Sequence, residues 1–250
     1  MPAHIDVRRW GCAQTMSIQS HETMSPAIRE AYRYHQWVFQ AFARHLRPGV
    51  ALEIGSGHGI YARHIVDSPL IEELIVSDID PQAIEAIRAE LAGQARTRYV
   101  VMDGIEPDKL GCSLDNVILL NVLEHIADDE QLLRRARESL RPEGVVIVFA
   151  PAFARLYGRM DREAGHHRRY ERPELGALLE RSGFDVLELR YFNTVGFFGW
   201  WVNKWMASPI NSAGTNLQVR IYDRLVPFLR RADGIIPLGQ SLIAVGAKRS

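Results

Sequence analysis

The octet Leu52-Glu53-Ile54-Gly55-Ser56-Gly57-His58-Gly59 carries the residue types most suited to holding a ligand. Glycines let a chain turn sharply and let backbone approach a bound group closely. A dinucleotide fingerprint requires Gly-x-Gly-x-x-Gly/Ala. Here the third glycine comes one place early, and the fingerprint's last position is occupied by Ile60. Two residues before the first glycine stands Glu53, a carboxylate that is unhelpful beside a pyrophosphate. It suits a ligand with an ammonium and a sulfonium, which favours S-adenosylmethionine over a nicotinamide dinucleotide. Two more acids fall where that ligand needs acceptors. Asp78 can accept both ribose hydroxyls, and Asp103, followed by Gly104, can accept from the adenine amino group. The bland alternative is that each acid only caps the turn that follows it.

Two histidine segments could serve a second reactant. Asn121-Val122-Leu123-Glu124-His125-Ile126 offers His125 as a base, or Glu124 and His125 merely order a loop. Gly165-His166-His167-Arg168-Arg169-Tyr170, preceded by Tyr157 and Asp161, offers His166, His167 and Tyr170. Histidine and arginine there could deprotonate or bind an anionic acceptor. They could equally form a solvated basic loop pairing with Glu163, Glu171 and Glu174. Adjacent histidines rarely share one ion, so no metal is expected.

These segments need elements to carry them. Ser25 and Pro26 open a helix whose apolar face runs from Ile28 to Leu46, stopped by Pro48-Gly49. Strands are predicted at 50–54, 73–77, 98–102, 116–121, 145–150, 184–191 and 241–248. Helices are predicted at 60–66, 81–91, 129–140 and 173–182. Apolar strands alternating with helices indicate an α/β fold with a doubly wound parallel sheet. Glu53, Asp78 and Asp103 then stand at the carboxyl ends of successive strands, the rim where such sheets bind ligands. Residues 193–240 form a long connection containing Phe197, Phe198, Trp200, Trp201 and Trp205. Three readings stand for it: core, a lid over an apolar acceptor pocket, or a dimer or membrane-surface contact. Residues 1–24 are polar and aperiodic and read as a flexible arm ahead of a domain spanning 25–250.

Glu53-x-Gly55-x-Gly57-x-Gly59, Asp78-Ile79-Asp80-Pro81, Asp103-Gly104 and Asn121–Ile126 together resemble the successive motifs of class I S-adenosylmethionine-dependent methyltransferases. The branch most similar is the ubiquinone-biosynthesis O-methyltransferases. The resemblance is strong over about residues 48–150 and looser beyond. It implies a Rossmann-like, doubly wound seven-stranded sheet with the last strand antiparallel, plus an N-terminal helix and a helical insertion before that strand. It also implies that Gly55, Ser56 and Gly57 line the methionine portion of the cofactor, with Glu53 below them. Asp78 would hold the ribose, Met102 or Ile79 would pack on the adenine, Asp103 and Gly104 would meet its amino group, and Asn121 would lie near the ammonium.

The expected activity is methyl transfer to a small organic acceptor, most readily at oxygen, with S-adenosylhomocysteine as product. The acceptor can be apolar or aromatic. Alternatives are cyclisation or aminocarboxypropyl transfer, which leaves methylthioadenosine, and a binding module without turnover. With 30 Lys+Arg against 30 Asp+Glu, no bulk field favours nucleic acid. No apolar run is long enough for a membrane span, though surface association stays open. Cys12 and Cys112 suggest free thiols in a reducing cytoplasm.

Overall fold

The structure, a computed structural model, describes residues 26–106, 110–199, 213–234 and 236–249. The N-terminal arm, Cys12, Ser25, Trp200, Trp201 and Trp205 lie outside the described residues.

Seven strands form one sheet: β1 Gly49–Ile54, β2 Ile71–Asp78, β3 Thr97–Val101, β4 Leu114–Leu120, β5 Leu140–Pro151, β6 Phe184–Phe192 and β7 Ser241–Lys248. Their order is β3-β2-β1-β4-β5-β7-β6. The strands from β3 to β5 are mutually parallel, while β7 runs antiparallel to both β5 and β6. The strand order reverses between β1 and β4, so the crevice beyond their carboxyl ends is the sheet's natural ligand site. The expected seven-stranded sheet with its last strand antiparallel is therefore present.

Helices cover both faces. The longer ones among the described residues are α1 Tyr32–Phe42, α2 Ile60–Val66, α3 Pro81–Glu90, α4 Asp129–Ser139, α5 Arg172–Arg181 and α6 Ala213–Leu229. Local chemistry starts several of them. Asp80 caps α3 by accepting from the Gln82 N–H, with Pro81 in the first turn, and Asp128 caps α4 through the Gln131 N–H. The central strands are buried on both faces, so their near-continuous apolar sequences feed two cores, one on each side of the sheet.

The first helix departs from expectation. A single helix over 26–46 is replaced by a one-turn α-helix at Pro26–Arg29, then α1, then a 3-10 turn at Ala43–His45. The tertiary structure explains the interruption at Ala31. Asp223, on α6, accepts from the Tyr34 N–H at 2.9 Å, so the open amino end of α1 is capped by a distant helix. Trp37 of α1 lies 4.3 Å, ring to ring, from Phe192 at the end of β6 and so anchors the helix to the sheet. Removing such a buried aromatic costs about 3–5 kcal/mol.

Candidate active site

The glycine loop leaves β1 as the sequence requires. Gly55 has φ +64°, and a Cβ there would sit 2.7 Å from the Cγ2 of Val122. The β1 loop thus passes directly against the β4 loop, and only glycine permits it. Glu53, just before, is buried, and its Oε2 has no hydrogen-bond partner. Burial pushes its carboxyl up to about 8, with Asp78 adding to the rise against a lowering bond from Ser56. A buried acid with an unpaired oxygen beneath a glycine cradle fits a cationic ligand, because the ligand supplies the missing charge.

Asp78 closes β2 and is held on both sides. Its Oδ2 accepts from the Gly57 N–H at 2.9 Å and its Oδ1 from the Asp80 N–H at 3.0 Å. The carboxylate therefore fixes the glycine loop as well as facing the crevice. A carboxylate oxygen can accept more than one hydrogen bond, so these anchors are compatible with ribose hydroxyls. Ile79 is half-buried and Met102 buried, both at the ends of neighbouring strands. The Met102 N–H donates to the Asp78 carbonyl at 3.1 Å, which ties the start of the Asp103-Gly104 turn to β2. Asp103 is exposed at this rim, and Gly104 takes φ +65°. Ser56 is buried, with its hydroxyl donating to the Glu53 carbonyl at 3.3 Å. Asn121, at the end of β4, adopts φ +55°, a strained choice for a non-glycine residue that turns the chain into the crevice. The ten residues expected to meet the cofactor thus lie on the carboxyl rim of four adjacent strands.

The second rim, beyond β4 and β5, is assembled from two loops. Leu123–His125 forms a 3-10 turn after β4. The His167 N–H donates to the Glu124 carbonyl at 2.8 Å, which draws the post-β5 loop onto that turn. Three chemically active side chains meet there. His125 and His166 stand edge to face with ring centroids 4.7 Å apart. Nε2 of His166 is 3.9 Å from Oε1 of Glu124, and its Nδ1 is 3.0 Å from Oδ1 of Asp161. Arg169 donates to the same Asp161 oxygen at 2.7 Å. Burial alone would raise the Asp161 carboxyl, but bonds from His166 and Arg169 outweigh it and hold it below its ordinary value. Burial pushes His125 down to about 4, with His166 adding to the drop. Burial also pushes Glu124 up to about 7, and neither of its carboxylate oxygens has a hydrogen-bond partner.

Two residues from the expected catalytic set sit differently from His125 and His166, although His167 is still near enough to His125 to lower its proton affinity. His167 has an exposed side chain. Tyr170 is buried, and its hydroxyl lies 2.9 Å from Oδ2 of Asp129 and 3.1 Å from the Leu123 carbonyl. Burial and the Asp129 carboxylate drive its proton affinity far up, which suits a clasp between loops rather than a base. Arg168 binds the same Asp129 oxygen at 2.9 Å and the Ala127 carbonyl at 2.8 Å, so it is part of the clasp. Asp161 and Glu124 are the residues whose importance the sequence left understated. Their signal was weak: an acid five positions before His166, and an acid beside His125. Glu124, His125 and His166 each place one ligand atom within 4.8 Å of the others. That spacing could hold a divalent cation, and it comes from two loops rather than from the adjacent histidines.

A mostly parallel sheet with a glycine turn over a buried acid at its switch point is the Rossmann-like architecture. A family profile described as a methyltransferase domain matches residues 27–189, and the chain belongs to that family. A probable S-adenosylmethionine-dependent methyltransferase of Mycolicibacterium smegmatis is 29% identical over 157 residues, covering 62% of this chain and 59% of the relative. The chain thus spans little more than half the length of that curated relative. Among solved structures, the N-methyltransferase NodS from Bradyrhizobium japonicum, in complex with S-adenosylhomocysteine, superposes with a TM-score of 0.60 at 14% identity, covering 94% of this chain and all of that one. A chain of the Haloferax volcanii complex between the Trm112 activator and a methyltransferase gives 0.63 at 16% identity, covering 94% and 98%. These likenesses show the fold.

Proposed function

We propose that the protein transfers a methyl group from S-adenosylmethionine to a hydroxyl oxygen of a small organic acceptor, with His166 taking the proton. The observation that carries this reading is the 3.0 Å contact between His166 Nδ1 and Asp161. Asp161 accepts from Nδ1–H, which fixes the ring and leaves Nε2 as the proton acceptor. A hydroxyl gains from losing its proton during displacement, whereas a neutral amine needs no base to attack.

Bound S-adenosylmethionine supplies a methyl group already activated on a sulfonium. The chain's own work is to align and to exclude. Gly55 and Gly57 admit the amino-acid arm, Asp78 accepts from the ribose, and Asp103 with Met102 and Ile79 seats the adenine. Glu53 lies under the cradle as a counter-charge. Acceptor oxygen, methyl and sulfur must lie in line, and positioning of this kind can supply much of a barrier's reduction. As the O–CH3 bond forms and the S–CH3 bond breaks, with its electron pair returning to sulfur to leave S-adenosylhomocysteine, the acceptor's proton moves to Nε2 of His166 and Asp161 stabilises the imidazolium. His125, kept neutral by its burial, borders the same space without competing for charge.

The test is product analysis with an acceptor panel of phenols, sugars and lipid-linked alcohols. Formation of S-adenosylhomocysteine together with an O-methylated product supports the reading. Methylthioadenosine would transfer the site to attack on the aminocarboxypropyl arm or to cyclisation. Binding of cofactor without any product across the panel would favour a module that only binds.

A further inference from the structure

Helix α6 carries a surface that the active site does not use. Leu217, Ile221, Leu225 and Phe228 recur at intervals of four, four and three residues, one helical stripe. Their exposures are 60, 48, 45 and 65%. The opposite side of α6 packs inward. Val226 is buried, Tyr222 faces Tyr34 of α1, and the Tyr222 hydroxyl bonds Asn193. The stripe is therefore not the helix's core-facing side displayed by accident. Large apolar side chains aligned on the outside of a helix mark a contact surface.

Charge beside the stripe identifies the occupant. Arg220 and Arg224 on α6, and Arg231 in the 3-10 turn Arg230–Ala232 that follows it, lie along one flank of the stripe. Arg220 meets Glu30 at 3.4 Å with both side chains exposed, and the Arg231 guanidinium lies 6.0 Å from the Phe228 ring centroid. Arg224 is exposed and makes no ion pair among the described residues. The helix has one acid, Asp223, and it is turned inward, where it caps α1 and faces Arg33 at 3.9 Å. The outward sector of α6 is thus apolar and cationic with no acid of its own. A second copy meeting this sector face to face would set the same arginines against each other, with only Glu30, already paired to Arg220, as a nearby acid. A bilayer bearing phosphates supplies both an apolar layer for the stripe and bidentate acceptors for the arginines. No helix among the described residues is long and apolar enough to cross a membrane, so the geometry is that of a helix lying on a surface.

We propose that α6 docks the protein in the plane of an anionic lipid surface through Leu217, Ile221, Leu225 and Phe228, with Arg220, Arg224 and Arg231 on headgroup phosphates. The inference stands independently of which acceptor is methylated.

The full chain is floated with vesicles of phosphatidylcholine, with and without phosphatidylglycerol. The wild type binds the phosphatidylglycerol vesicles at least about tenfold more tightly than phosphatidylcholine alone, and rising salt weakens that binding by screening the arginines. The double variant Leu217→Ser, Phe228→Ser loses vesicle binding while its affinity for S-adenosylhomocysteine is unchanged, which certifies folding. Arg224→Glu with Arg231→Glu abolishes the preference for phosphatidylglycerol. Absence of wild-type binding, or binding indifferent to these substitutions, overturns the proposal. So does sedimentation showing a wild-type dimer that the stripe variant converts to monomer, since the stripe is then a subunit contact.

Discussion

The two halves of the crevice are built by different means. On the rim of the strands from β3 to β4, each residue sits at the end of its own strand and is fixed by nearby backbone: Asp78 by the N–H groups of Gly57 and Asp80, Glu53 by burial beneath the loop it precedes. On the rim beyond β4 and β5, no short segment brings the histidines together. Glu124 and His125 come from the turn after β4, whereas Asp161 and His166 come from the loop after β5. A separate clasp of Arg168 and Tyr170 on Asp129 closes the two loops on each other. One half depends on strand ends that any doubly wound sheet aligns. The other depends on how two loops dock.

The sharpest way to break this comparison is at His166. His166→Ala lowers kcat by about 10²–10⁴-fold, the usual worth of a positioned base, and leaves cofactor affinity in place. Equal losses in turnover and cofactor binding would mean that the histidine only supports the loop. Chelation leaves the wild-type rate unchanged. A rate lost to a chelator and restored by a divalent ion would make Glu124, His125 and His166 a metal set instead.

On the other half, Asp78→Ala weakens S-adenosylmethionine binding by about 100-fold, or about 3 kcal/mol, because ribose acceptors and the Gly57 anchor go together. Calorimetry reads this directly. At saturating cofactor the variant retains turnover, so affinity and catalysis separate between the two rims. An Asp78→Ala protein with wild-type affinity would falsify the ribose assignment.

Glu53 gives a smaller effect with a definite sign. In the free protein its carboxyl ionises near 8, and a cationic ligand favours the ionised form. Affinity for S-adenosylmethionine therefore rises as pH rises toward about 8 and levels above it. Binding at neutral pH releases protons, visible as a buffer-dependent heat. Stability of the free protein runs the opposite way. A carboxyl raised from 4.5 to about 8 on folding contributes fully below 4.5 and loses that contribution as pH climbs through 8. Glu53→Gln weakens the cofactor by about tenfold, or about 1.4 kcal/mol, and flattens both slopes.

The smallest effect on chemistry belongs to the clasp. Tyr170→Phe costs about 1–3 kcal/mol of stability in denaturant unfolding, since Asp129 loses a buried donor, and leaves kcat within a few-fold of wild type. A collapse of kcat with unchanged stability would return Tyr170 to the reacting groups.

Much of this was legible before any coordinates. Strand positions from β1 to β7 follow from apolar runs cut by turns, and α2 matches its expected bounds of residues 60–66. The gathering of Glu53, Asp78, Asp103 and Asn121 on one rim was legible too, because a residue at a strand end has one position in a parallel sheet. Less legible was the start of α1, where Asp223 intervenes from 189 positions away. The antiparallel insertion of β7 between β5 and β6 was expected from the family resemblance alone, since pairing partners distant in sequence leave no mark in either segment's periodicity.

The sequence by itself determined the sheet, its glycine turn and the acids at its rim, because periodicity and strand-end position are local properties of a chain. Only the tertiary structure decided that Asp161 orients His166, that Glu124 lies buried beside it, that Tyr170 fastens loops, and that α6 turns an apolar stripe outward. Those facts depend on which surfaces meet, and a side chain's burial and partners are set by residues far from it along the chain.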